Sequence, residues 1–100
     1  MIVVHAAFKI DAHKRDAALS IAADVASASR AEDGNVDYRV TTDVEDPEVV
    51  RFVEVWADED ALAAHQEMGH YLSFSETFPS YVTAERGVEK YKVSDTESLD

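Results

Sequence analysis

The chain has 100 residues, of which 46% are hydrophobic, and this suits one domain built around one core. It contains no cysteine, which excludes disulfides, thiolate metal sites and cysteine nucleophiles. Acidic residues outnumber basic ones by 21 to 9, and the formal net charge of −12 argues against nucleic acid or an anionic membrane as partners.

The acidic excess has two interpretations. It can be a solvated surface that keeps the protein in solution, or an adaptation to high salt, which we favour because lysine is scarce beside so many aspartates and glutamates. The segment Met1–Val4 lacks the basic flank and the long apolar region of a signal peptide, and no apolar run is long enough to span a membrane. We therefore expect a cytoplasmic protein.

The first elements are a strand and a helix. Met1–Ile10 alternates as a strand does, and both of its faces are largely apolar, which predicts a sheet covered on both sides. Lys14–Ala31 is helical, and its small inward residues predict close packing on the sheet. That inward stripe consists of Ala18, Ile21, Ala22, Val25 and Ser29.

A turn and a hairpin follow. Glu32–Asn35 reads as a turn in which Gly34 supplies a permissive backbone. Val36–Thr42 and Val49–Trp56 are predicted strands joined by a short loop, so they should pair as an antiparallel hairpin.

A helix begins directly after Trp56. Asp58 is its expected N-cap, and Gly69 its expected C-cap. Between them, helical spacing places four side chains on the inward face: Ala61, Leu62, His65 and Met68.

The remainder of the chain is a short helix, a strand and a tail. Tyr71, Phe74 and Phe78 share one face of the helix, which Pro79 ends or kinks. Thr83–Val93 is the final strand. We therefore expect one domain over residues 1–93 and an acidic, flexible tail over residues 94–100.

The element order β-α-β-β-α-β predicts a ferredoxin-like α+β sheet with its helices on one face. The other face is left without helices. Because strand one is apolar on both sides, the simplest cover for that face is a second copy of the chain, which predicts a homodimer.

Several short motifs, taken together in this order, resemble the antibiotic biosynthesis monooxygenase family. They are the run Glu32–Tyr38, Asp46-Pro47, the strand end Phe52–Trp56, the helix segment Ala61–His65, and His70-Tyr71. The likeness covers about residues 3–92. The Glu-x-Trp, Ala-Leu, His, His order is its most specific part.

The resemblance implies a dimeric α/β barrel made from two ferredoxin-like subunits. It also implies a pocket between sheet and helices, and oxidation of a quinol-like or polycyclic phenolic molecule by O2 without metal or flavin. One branch degrades haem with an Asn on strand one, whereas this chain has its only Asn at position 35. That departure argues against haem degradation.

Oxygenation without a cofactor needs a base near neutral pKa to hold the substrate as its anion, and histidine suits that role. His65, on the apolar face of its helix, is the first candidate catalytic base, and His70 is the second. Alternatively, His65 is a core residue bonded to a strand carboxylate such as Glu54. The His-x4-His spacing does not indicate zinc, and no third ligand is evident.

The remaining candidates would bind the substrate or only build the core. Trp56 could belong to the core and also stack on the substrate. Likewise, each of Tyr71, Phe74 and Tyr38 could contact the substrate or only pack in the core. Arg86 is the candidate for steadying a substrate anion. Arg39 and Arg51 are expected on the dimer face or in ion pairs there.

We therefore predict a cofactor-independent monooxygenase acting on a small aromatic molecule. The alternatives are a dimeric binding or stress-response module that does not turn its ligand over, and a haem-binding relative.

Overall fold

The computed structural model describes residues 1–100 and contains one four-stranded antiparallel sheet with helices on one face. The elements are β1 (Ile2–Ile10), α1 (Arg15–Arg30), β2 (Asn35–Thr42), β3 (Val49–Trp56), α2 (Glu59–His65), α3 (Gly69–Thr77) and β4 (Val82–Lys92). Short 3-10 helices, Ala12–Lys14 and Phe78–Tyr81, precede α1 and β4. The strand order β2-β3-β1-β4 confirms the ferredoxin-like α+β prediction.

Strand register decides which side chains face the helices. β1 pairs with β3 so that Ile2 lies opposite Trp56 and Ala6 opposite Phe52, and all four are buried in the core. Because side chains alternate along a strand, Val3 and His5 of β1 and their partners Val55 and Val53 of β3 point to the helix-free face.

The core beneath α1 is built from small side chains, as the sequence predicts. Ala18 and Ala22 are fully buried, and Val25, Ala26 and Ser29 continue the stripe. Such residues let the helix lie close to the sheet and leave little free volume.

The helix-free face carries apolar and charged side chains together. Val3, His5, Val53 and Val55 occupy its centre and are only partly buried. Arg39 and Arg51 bond Asp37 at 2.9 Å and Asp43 at 3.1 Å, which confirms the predicted ion pairs.

The helix after β3 is shorter than predicted. Asp58 does cap it, accepting a hydrogen bond from the Ala61 backbone N–H at 2.8 Å, but α2 ends at His65. The extended backbone of Met68 interrupts the helix, and Gly69 is the first residue of α3 rather than a C-cap. Consequently Met68 is 40% exposed, so its predicted inward position is wrong.

Gly34 is required for space, and its backbone does not adopt a positive φ; only Gly87 does. A Cβ at position 34 would overlap the Cβ of Ala61. The predicted reason for this glycine was therefore wrong: it lets the turn after α1 touch α2.

Residues 95–100 carry no helix or strand and are exposed, while their flexibility stays a prediction. No helix of the chain combines the length and apolar character that crossing a membrane would require.

Candidate active site

A cavity of about 290 Å³ lies between the sheet and the helices α2 and α3. Nine of the fourteen residues that line it are hydrophobic. Its aromatic lining side chains are Phe8, Tyr38, Phe52, Tyr71 and Phe74. A space of this size and character suits a flat aromatic ligand, because apolar walls hold a ring and keep water out.

Beside this cavity, one carboxylate oxygen joins two histidines. Glu32 Oε2 lies 2.7 Å from His65 Nδ1 and 2.8 Å from His70 Nε2. The side chains of His65 and Glu32 are 2% and 7% exposed, whereas that of His70 is 26% exposed. The cluster is therefore buried at its centre and reaches solvent only through His70.

The fold brings Glu32 to this position through the turn that follows α1. The Glu32 N–H donates to Ser29 O at 3.1 Å, and the Ala57 N–H donates to Gly34 O at 2.9 Å. These bonds tie the turn to the end of α1 and to the connection between β3 and α2. Since Gly34 also permits the close approach to α2, Glu32 is held beside the last residue of that helix.

His65 is arranged as a neutral imidazole. A carboxylate oxygen accepts hydrogen bonds, so Nδ1 donates its proton to Glu32. Burial lowers the pKa of His65, although the nearby Glu32 partly opposes that shift. At neutral pH the ring then keeps a lone pair on Nε2, which is the atom able to take a proton because the hydrogen bond to Glu32 uses Nδ1.

Aromatic rings fix the plane of that imidazole. The Trp56 ring centre lies 4.5 Å from the His65 ring centre, and the Tyr71 ring meets it edge-on at 5.0 Å. Trp56 is fully buried and donates its indole N–H to Glu54 Oε1 at 3.0 Å. Trp56 therefore stands behind the histidine and is not one of the residues that line the cavity.

Two further groups of the cavity wall have pKa values shifted by burial. Burial raises the pKa of Glu54 to about 7, with a further increase from the negative charge of Glu32. Burial also raises the pKa of Tyr38, so its phenol stays protonated at neutral pH.

The structure separates the predicted site residues into two groups. His65, Tyr38, Tyr71 and Phe74 border the cavity together. His70 lies outside it, in a groove between α1 and α3, and reaches the site only through Glu32. Arg86 is exposed and does not line the cavity.

Sequence reasoning missed the role of Glu32. It offered Glu54 as the carboxylate partner of a buried His65, and this was wrong because the partner is Glu32. The position of Glu32 at the head of the run that resembles the family was the available signal. Thirty-three residues separate it from His65, so helical spacing could not connect the two.

The fold brings a carboxylate beside the two histidines, which their spacing in the sequence did not reveal. Glu32 Oε2, His65 Nδ1 and His70 Nε2 lie within 4.8 Å of one another, and two histidines with one carboxylate can hold a divalent cation. In this structure the oxygen is instead shared by the two imidazoles through hydrogen bonds.

Residues 1–77 match the family model described as "Antibiotic biosynthesis monooxygenase". The chain belongs to that family. The matched residues include Glu32, Glu54, His65 and His70. A curated family relative, "Putative monooxygenase YcnE" of Bacillus subtilis, is 36% identical over 74 residues, which are 74% of this chain and 78% of the relative.

Solved structures share the fold of this member of the antibiotic biosynthesis monooxygenase family. A putative antibiotic biosynthesis monooxygenase from Deinococcus radiodurans superposes with a TM-score of 0.91 at 20% identity, covering 100% of this chain and 99% of that one. Another from Nitrosomonas europaea has a TM-score of 0.87 at 22% identity, covering 95% and 100%.

Proposed function

We propose that this protein is a cofactor-independent monooxygenase that oxidises a quinol-like or polycyclic phenolic molecule with O2. The supporting observation is the neutral His65, oriented by a buried carboxylate at 2.7 Å and bordering an aromatic-lined cavity. Family membership supports the monooxygenase class, while the substrate and the absence of a cofactor belong to the proposal.

In the proposed reaction, His65 Nε2 takes the proton of the substrate hydroxyl. The phenolate then gives an electron to O2, and the two radicals combine at a ring carbon ortho or para to the oxygen that carries hydrogen. His65 returns its proton to the peroxide oxygen. Loss of water from the resulting hydroperoxide gives a quinone. One oxygen atom enters the ring and the other leaves in water, and the substrate supplies all four electrons.

Each surrounding residue has a defined part in this proposal. Glu32 is a positioning residue that fixes the tautomer of His65, and Trp56 supports the imidazole plane. His70 forms a hydrogen bond with the same Glu32 oxygen and so helps to hold the carboxylate in place. Tyr71 and Phe74 form the wall against which the aromatic substrate lies.

We also propose that two copies pair through the helix-free face to form a dimeric barrel. The partly buried valines Val3, Val53 and Val55, which surround His5 at the centre of this face, support the arrangement because apolar residues gain from being covered. Light scattering in solution should give about twice the chain mass of 11.1 kDa. A mass equal to one chain would contradict the dimer.

The test of function is oxygen uptake with a panel of naphthols and hydroquinones, in buffer treated with a chelator. We expect consumption of O2 and formation of quinone in equal amounts. Ligand binding with no O2 consumption by any of them would instead support the binding module. A Soret band on adding haemin, without phenol oxidation, would favour the haem-binding relative.

A further inference from the structure

Glu54 presents an unpaired carboxyl oxygen beside the cavity. Its Oε1 accepts the Trp56 indole N–H at 3.0 Å, while Oε2 bonds to no protein group and no cation pairs with the side chain. The residue is only 9% exposed. The only fully buried side-chain polar atom without a partner is Ser29 Oγ, so Glu54 Oε2 is open to the cavity that this residue lines and can accept a hydrogen bond from a ligand.

The groups that face this carboxyl do not neutralise it. Glu32 adds negative charge from the turn before β2, Tyr38 on β2 contributes a phenol that stays protonated at neutral pH, and Tyr71 on α3 adds its phenol ring. His65 on α2 is the neutral imidazole described above. The residues that β1 contributes to the wall, Val4, Ala6 and Phe8, carry no charge.

The one lysine or arginine of the cavity wall is engaged elsewhere. Lys90 on β4 lies 3.3 Å from both carboxylate oxygens of Glu59, and its neighbour Glu89 adds a negative charge to the same wall. The interior therefore offers no free positive charge to a ligand.

Building on the proposed function, we infer that Glu54 sets the substrate class: it bonds an uncharged polar group of an aromatic substrate and excludes analogues that carry a carboxylate there. The substrate hydroxyl that is oxidised lies elsewhere on the ring system and forms a hydrogen bond with His65. Two carboxylates without an intervening cation repel each other strongly in a cavity with apolar walls. A hydroxyl or amide, by contrast, can donate to the free oxygen of Glu54.

The protonation of Glu54 makes this selection depend on pH. With a pKa of about 7, the carboxyl is protonated in mildly acidic solution and can then donate a hydrogen bond to a ligand carboxylate. Above pH 7 that form becomes rare, and the apparent affinity for a carboxylate ligand should fall about tenfold per pH unit. Uncharged ligands should bind with nearly the same affinity across this range.

Three naphthalene probes test the inference by calorimetry in the absence of oxygen. They are 2,6-dihydroxynaphthalene, 6-hydroxy-2-naphthamide and 6-hydroxy-2-naphthoate, of which the amide matches the acid in size but carries no charge. At pH 8 the wild-type protein should bind the diol and the amide at least about tenfold more tightly than the acid. At pH 5.5 that ratio should shrink.

Glu54→Gln keeps an oxygen that can accept the Trp56 N–H and removes the charge, and it should reduce the pH 8 ratio to about threefold or less. Glu67→Gln removes one charge from an exposed residue and should leave the ratio unchanged. The emission of Trp56, the only tryptophan, reports whether the variant folds. If Glu54→Gln does not fold, the binding ratios of the wild-type protein at pH 8 and pH 5.5 still test the inference.

Three outcomes would overturn the inference: equal binding of acid and amide at pH 8, unchanged discrimination in Glu54→Gln, or no binding of any probe. Selective binding without oxygen consumption would support the inference about Glu54 and contradict the proposed oxygenation. The two ideas can therefore fail separately.

Discussion

The two halves of the helix-covered face are built in opposite ways. Beneath α1, the small side chains of Ala18, Ala22, Val25 and Ala26 are buried, each no more than 3% exposed. Beneath α2 and α3, larger aromatic side chains surround a cavity; Glu54 and His65 are buried in its wall, and the side chain of Glu32 is buried behind His65. One half stabilises the fold, and the other accepts the free-energy cost of burying ionisable groups, which is typical of functional sites.

The largest expected effect is on turnover in the cavity half. His65→Ala should lower kcat about 10²- to 10⁴-fold, because a general base contributes rate gains of that size. Oxygen uptake under saturating substrate measures it. His13→Ala changes an exposed histidine of the first 3-10 helix and should leave the rate unaltered. A fall in melting temperature with an unchanged rate would make His65 a structural residue.

The next effect concerns the pH dependence of stability. The pKa of Glu54 is raised from its ordinary 4.5 to about 7, so the folded state holds this proton more tightly than the unfolded chain does. Its stabilising contribution is complete below about pH 4.5 and is lost as pH rises through 7. The loss is roughly 3 kcal/mol.

Glu54→Gln should remove that component, so its free energy of unfolding should fall less than that of the wild type between pH 5 and pH 8. Urea unfolding at the two pH values measures the difference. The exposed Glu67→Gln serves as the control. Parallel pH profiles for Glu54→Gln and the wild type would contradict the assigned pKa.

Matched substitutions in the two halves test the packing contrast directly. Ala22→Leu adds volume where no space exists and should destabilise the fold by about 1–3 kcal/mol. Ala6→Leu adds the same volume beside the cavity and should cost less stability while blocking ligand binding. Equal losses of stability, with binding retained by Ala6→Leu, would remove the distinction between the halves.

Salt should act on the surface charge and leave the buried cluster unaffected. With a net charge of −12, raising KCl from millimolar to molar concentration should increase the melting temperature, because salt screens the self-repulsion. The ratio of amide to acid binding should change little, since buried charges are screened less. A melting temperature that stays flat over this range would reject the adaptation to high salt.

The sheet could be predicted because its signals are local. Alternating residues defined the hairpin of β2 and β3, and small residues at helical spacing defined the buried face of α1. The element order then left few arrangements, and the observed strand order is the expected one.

The site could be predicted only in part because it depends on distant contacts. Spacing along α2 identified His65 as an inward residue, but its bond to Glu32 depends on the turn at Gly34 approaching Ala61. The break at Met68 depends on a backbone change between α2 and α3, and it places His70 outside the cavity. Neither the bond between Glu32 and His65 nor the break at Met68 can be recognised from a periodic pattern within one element.

The most direct test of the account is a crystal structure with 2,6-dihydroxynaphthalene bound in the absence of oxygen. The ring should lie between the sheet and the helices α2 and α3, with one hydroxyl within about 3.2 Å of His65 Nε2. A ligand bound only on the helix-free face or in the groove beside His70 would contradict it.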